Sequence, residues 1–282
     1  MNHSYKKIIV TRLAGNVVLG ACSDDASFEG EGKQQTYSLI VKGITTSGSD
    51  SSEELRDVSV FQFSDGNLYK TQQLTPESNG QSSISALSGS RLYFLTGVTL
   101  PVQEEGITEE EFRNMTIGEG LHNNSAPDFM AAIVELESTP QTRSNQEINV
   151  GMKRGVARID LNTTADSKTL IKEIIVKDAP AETYPFIENA SASDKTVSYL
   201  KKFDPAFGGE QQGIFRIFES KRPVNIILRG IYNEIPISLK MQLPSIERNK
   251  VYELSVLNVG ATVEGIFEIK PWEEGETIIG KT

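Results

Sequence analysis

From Tyr37 onward, apolar residues recur at every second position in one short segment after another. Tyr37, Leu39 and Val41 alternate with Ser38 and Lys42, and Val58 and Val60 alternate with Phe61 and Phe63 on the opposite face. A period of two puts successive side chains on opposite sides of an extended chain, so these segments are read as strands. Ser64-Asp65-Gly66-Asn67 carries a hairpin-turn signal, because Gly66 can take a positive φ. Ile84 to Leu87, Leu92 to Leu95 and Met130 to Leu136 continue the pattern. Eight more segments follow: Ile148–Val150, Val156–Leu161, Ile171–Val176, Ile214–Phe218, Val224–Leu228, Ile235–Met241, Val251–Leu257 and Val263–Ile269.

The only interruption with helical character lies in residues 101–128. Thr108 and Glu111 have the spacing of a capping box ahead of Phe112 and Met115, which predicts a short helix. A long connection is expected between Val176 and Ile214, with prolines at 180 and 185 and a Phe207-Gly208-Gly209 break. Many short strands with turn signals and almost no helix predict an all-β chain of β-sandwiches. The length suits two such domains in tandem, residues 37–152 and 153–282, with the short helix inserted in the first. Cys22 is the only cysteine, so no intramolecular disulfide can form and the core must hold the fold together.

Cys22 ends the run Leu19-Gly20-Ala21-Cys22, behind a short apolar stretch and ahead of Ser23-Asp24-Asp25. The arrangement resembles a bacterial lipoprotein signal. That resemblance implies cleavage between Ala21 and Cys22, lipid attachment to the Cys22 thiol, and export to the cell surface. Residues 1–21 hold Lys6, Lys7 and Arg12 with no acid, and Leu13 to Ala21 falls within the length of a signal core, about 7–15 residues. The acidic, Gly-bearing stretch 22–36 then reads as a flexible tether.

The whole chain carries a formal charge of −10 over 282 residues. Removing the three leader cations leaves 25 basic against 38 acidic side chains, a net −13. Such a surface argues against nucleic acid, whose phosphates need a basic face. No nucleophile elbow, P-loop, zinc spacing or dinucleotide fingerprint is present, so no catalytic residue, metal or cofactor is assigned. His122 is the only histidine beyond the leader and lies in a polar loop, where a surface position is the plain reading.

Three features together resemble the fimbrillin family, the subunits of Bacteroidales-type (type V) pili. The first is the lipoprotein leader with Ser23-Asp24-Asp25. The second is Arg154-Gly155-Val156-Ala157-Arg158-Ile159-Asp160-Leu161. The third is the close of the chain: Asn249-Lys250-Val251-Tyr252-Glu253-Leu254, then Asn258-Val259-Gly260, then Val263–Ile269 and Pro271-Trp272-Glu273-Glu274-Gly275. The resemblance implies two transthyretin-like sandwiches and an outer-membrane, surface-exposed protein of the fimbrium. It also implies assembly by donor-strand addition. The first strand, with Tyr37, Leu39 and Val41, would be removed by an arginine-specific protease. A neighbour's last strand would fill the groove, with Val263, Gly265, Phe267 and Ile269 on one face.

The segment Ile44 to Leu55 has no arginine or lysine, so Arg56 is the candidate processing site, and it abuts the next strand. A subunit that escapes cleavage would keep its lipid and serve as an anchor. The implied partners are other fimbrial subunits, the outer membrane through Cys22, and an adhesion target on host or bacterial surfaces. The competing reading is a non-polymerising surface lipoprotein that binds glycan or host protein. N-terminal sequencing of surface-shed material separates the roles. A start at Asp57 is expected for a polymerising subunit, and a blocked, lipidated Cys22 for an anchor.

Overall fold

The computed structural model describes residues 34–42, 57–75, 77, 81–102, 106–118, 125–138, 146–164, 168–259 and 262–272. Among the described residues the fold is all-β apart from one five-residue helix. The elements up to Arg154 are β1 (Gln34–Lys42), β2 (Val58–Ser64), β3 (Asn67–Leu74), β4 (Gln81–Leu87), β5 (Arg91–Thr96), α1 (Glu109–Arg113), β6 (Ile117–Gly118), β7 (Met130–Glu135), β8 (Gln146–Gly151) and β9 (Lys153–Arg154). Beyond Gly155 come β10 (Val156–Asn162), β11 (Thr169–Pro180), β12 (Glu182–Thr183), β13 (Thr196–Phe207), β14 (Glu210–Phe218), β15 (Val224–Tyr232), β16 (Ile235–Leu243), β17 (Lys250–Val259) and β18 (Thr262–Pro271).

The larger of the first sheets has the order β3-β2-β5-β7-β9, and the smaller has the order β4-β1-β8. Tyr37, Leu39 and Val41 from β1 meet Val58, Val60, Leu92 and Phe94 in the core between them. Beyond residue 155, the sheets β14-β10-β17-β18 and β13-β11-β15-β16 enclose another core, built around Ile159, Ile174, Tyr199, Phe215 and Tyr252. A short β6–β12 pair links the insertion after α1 to the segment after β11.

β2 and β5 are buried on both faces. Val58, Val60, Leu92 and Phe94 point into the first core, while Phe61, Phe63, Tyr93 and Leu95 point into an aromatic core on the other side. That aromatic core also takes Phe112 from α1 and Val156, Phe186, Phe218, Val251 and Trp272 from the second half of the chain. Phe112 stacks on Phe186 at 5.2 Å between ring centroids and lies 4.8 Å from Phe61.

Local chemistry explains the turns. Asp65 and Gly66 both take positive φ (50° and 75°), the geometry of a tight two-residue hairpin between β2 and β3. In α1 the capping box forms as expected. Thr108 accepts from the Glu111 N–H, and the Glu111 carboxylate accepts from the Thr108 N–H. At Gly155 a Cβ would stand 1.9 Å from the Phe129 ring, so only glycine lets that ring cover the crossing from β9 to β10.

Two boundaries differ from the sequence reading. β1 starts at Gln34, inside the stretch read as tether, and the ladder to β4 begins there, pairing Gln34 with Leu87. The span from 176 to 214 is not a plain connection, because β11 runs to Pro180 and β13 occupies twelve residues. β13 was hidden because it is the outer strand of its sheet. Only Tyr199 is buried along it, Lys201 and Lys202 are exposed, and Pro205 interrupts the apolar rhythm. A proline is tolerated on an outer strand, where a missing N–H breaks no second ladder.

Phe112 is fully buried among four aromatic rings. Phe112→Ala is expected to lower the unfolding free energy by about 3–5 kcal/mol, read from urea denaturation.

Candidate functional site

The candidate site is a pair of strands, β1 and β18, which differ in how they are held. β1 is the central strand of its sheet. It runs antiparallel to β4, from Gln34 opposite Leu87 to Ile40 opposite Gln81. It runs parallel to β8, from Tyr37 opposite Gln146 to Lys42 opposite Gly151. Tyr37, Leu39 and Val41 are 2%, 0% and 1% exposed. Burial pushes the Tyr37 phenol above its ordinary pKa. Burying side chains such as Leu39 and Val41 stabilises by about 1.5–3 kcal/mol each. Without β1, the facing edges of β4 and β8 would lose their backbone partners and the first core would open along a slot three side chains long.

Among the described residues β18 is the outer strand of its sheet and pairs on one side only, with β17, from Lys250 opposite Pro271 to Val259 opposite Thr262. Val263 and Phe267 pack against the second core without being fully buried. Gly265 sits against Met241 of the facing sheet, where a Cβ would stand 2.8 Å from the sulfur. Glu264, Ile266 and Glu268 are exposed. Ile269 lies opposite Tyr252, at the end of the strand away from Met241, and is 47% exposed. Ile266 is 41% exposed. The flanking carboxylates are the kind of charge that keeps an open edge from pairing indiscriminately.

Around β18, Lys270 donates to Glu253 at 2.8 Å, and Asn162 donates to the other oxygen of that carboxylate at 3.2 Å. The Lys270 hydrogen bond holds the Glu253 carboxyl below its usual range. The same pair raises the Lys270 ammonium above its usual value.

Of the residues singled out from the sequence, β1 gathers Tyr37, Leu39 and Val41, and β18 gathers Val263, Gly265, Phe267 and Ile269. β1 and β18 lie in different sheets and are not paired with each other. Ala21, Cys22, Arg56 and His122 lie outside the described residues, as does Gly43. β2 begins at Val58, two residues after Arg56. Asp57 is exposed and tied down, since its side chain accepts from Thr75 at 3.0 Å and its carbonyl from Thr96 at 3.3 Å.

A cluster around Trp272 was missed. Arg154 lies 4.7 Å and Arg158 5.1 Å from the Trp272 ring centroid. Arg154 donates to Asp128 at 2.6 Å, and Arg216 stands 3.1 Å from the same oxygen. The available signal was two arginines in a segment that is otherwise almost wholly apolar. Among the described residues no three or more His, Cys, Asp or Glu side chains converge as a metal site. No described helix is long and apolar enough to cross a membrane.

No family model matches the chain, and no curated protein matches it significantly. Its fold, however, is found among solved structures. A C-terminally truncated tip fimbrial protein from Porphyromonas gingivalis superposes with a TM-score of 0.62 at 10% identity, covering 85% of this chain and 100% of that one. A fimbrilin from Porphyromonas gingivalis gives 0.58 at 11% identity, covering 84% and 97%. A protein described as a cell adhesion protein, from Bacteroides eggerthii, gives 0.57 at 12% identity, covering 86% and 97%. The chain therefore has the fold of bacterial fimbrial and adhesion proteins, over nearly the full length of each.

The two strands should respond differently to truncation. Leu39→Ala is expected to cost about 2–5 kcal/mol of stability. Ile269→Ala is expected to cost less than about 0.5 kcal/mol. Urea denaturation of each purified variant measures the contrast.

Proposed function

We propose that this protein is a structural subunit of a cell-surface fimbria, exported as a lipoprotein through Cys22 and joined to its neighbours by exchange of a β-strand. The observation that carries this reading is the setting of β1. It is a single strand, paired on both sides, whose three buried side chains plug the first core. A strand in that position can be replaced by another of similar pattern without rebuilding the sheets around it. The shared fold with fimbrial proteins supports the same conclusion.

In this reading the chain forms two sandwich units that meet at Gly155. Cleavage after Arg56 frees β1, and β18 of a neighbour enters the slot with Val263, Gly265, Phe267 and Ile269 along its face. Ile266 and Ile269, exposed on the resting edge, support β18 as the donor. A subunit that keeps β1 and its lipid would still donate β18 and sit at the base of the fibre. No catalytic role is proposed.

The test is a reversible lock. Ser255 and Ile266 stand directly opposite each other on β17 and β18, on the face turned away from the core. Opposite residues on antiparallel strands have Cβ atoms about 4.5–5.5 Å apart, near the reach of a disulfide. In the double variant Ser255→Cys, Ile266→Cys, oxidised subunits are expected to give no heat-sensitive multimers on gels. Reduction should restore the ladder. A ladder unaffected by the lock would show that β18 is not the donor.

A further inference from the structure

The Pro271-Trp272 close of the chain has a role that strand pairing alone does not supply. β18 lies over the second core, but Trp272, the residue that follows it, is buried in the aromatic core with Val156, Phe218 and Val251. Its ring lies against Arg154, at the end of β9, and Arg158, in β10, which is two strands from β18 in its sheet. Both arginines are held in place. Arg154 is bound by Asp128 at 2.6 Å, and Arg158 by Asp160 at 2.9 Å. Each guanidinium presents its charge to the indole, an attraction that strengthens where water is excluded. The backbone N–H of Trp272 donates to the Asn249 carbonyl at 3.2 Å, which fixes the exit of the strand.

The rest of β18 is weakly held. It has a ladder on one side only, and no side chain described within it reaches full burial. Trp272, at 4% exposure, is the one buried side chain at that end. Its indole N–H has no hydrogen-bond partner, so the ring is kept by packing and by the two cations rather than by a directional bond.

We propose that Trp272, clasped by Arg154 and Arg158, is a latch that keeps β18 in its own sheet in the unassembled subunit. It sets the fraction of molecules whose β18 is free. Trp272 is thus a positioning residue, and its consequence for assembly rests on the strand-donation reading above. Apart from its one ladder, β18 keeps only partly buried Val263 and Phe267 and the Lys270–Glu253 pair, so it opens as a unit when the ring leaves, while β10 and β17 stay paired with each other.

Amide hydrogen exchange on the full chain tests the latch directly. In Trp272→Ala, exchange of the amides in β18 is expected to speed up by at least about ten-fold, with β10, β11 and β15 unchanged. Trp272→Phe keeps an aromatic face for the arginines and should fall between the variant and the parent, which separates the latch from loss of the fold. Exchange that rises equally in every strand would make Trp272 an ordinary core residue and overturn the proposal, as would no change in β18. Subunits of Trp272→Ala should also form multimers faster than the parent. Failure of strand donation shows in the disulfide lock, and failure of the latch shows in the exchange profile, so the two are told apart.

Discussion

The burial of β2 and β5 on both faces is the constraint from which the rest of the molecule follows. A strand buried on one side only needs one partner layer, and its outer face can be polar. Val58 and Val60 demand one cover while Phe61 and Phe63 demand another, and Leu92 to Leu95 repeat the demand on the neighbouring strand. The first cover is the small sheet centred on β1. The second is assembled from pieces far apart in sequence: α1, the segment around Phe186, and the ends of β14, β17 and β18. The two halves of the chain are thereby tied through an aromatic layer, to which the short β6–β12 pair adds a two-residue ladder.

That arrangement gives β1 and β18 opposite characters. β1 covers one face of β2 and β5, so its loss uncovers a core that remains framed by seven other strands. The frame persists because the aromatic layer on the far side still holds β2 and β5. β18 covers less. It adds an outer edge to a sheet whose inner strands, β10 and β17, pair without it. One strand leaves a defined slot, and the other leaves a sheet still paired through β10 and β17. Strand exchange needs both properties, and they sit at opposite ends of the described chain.

Much of this was legible from residues alone. The alternation at 37–41 and 58–63 identified strands, and the polarity switch from Val60 to Phe61 marked a strand with two apolar faces. Thr108 and Glu111 located the helix to the residue because capping chemistry is local. What stayed hidden was whatever depends on position in a sheet. β13 has an irregular pattern because an outer strand is not asked for regular burial. β1 could not be known as central, or as parallel to β8, from its own nine residues, because partners 40 to 110 residues away decide it. The Trp272 cluster was invisible for the same reason. Arg154, Arg158 and Trp272 were each conspicuous, but only the fold brings residue 272 within 5 Å or so of residues 154 and 158.

The placement of charge follows from the same geometry. Arg154 is almost fully buried, a costly position for a cation unless it is paired and hydrogen-bonded. Asp128 supplies the pairing, and it lies just before β7, on the stretch that also delivers Phe129 over Gly155. The crossing between the two halves thus carries a closed set of contacts: a ring over a glycine, a carboxylate on an arginine, and that arginine against a tryptophan. The contacts that close the crossing and those that hold Trp272 after β18 therefore share a group, the Arg154 guanidinium, while Arg158 adds a second cation to the ring.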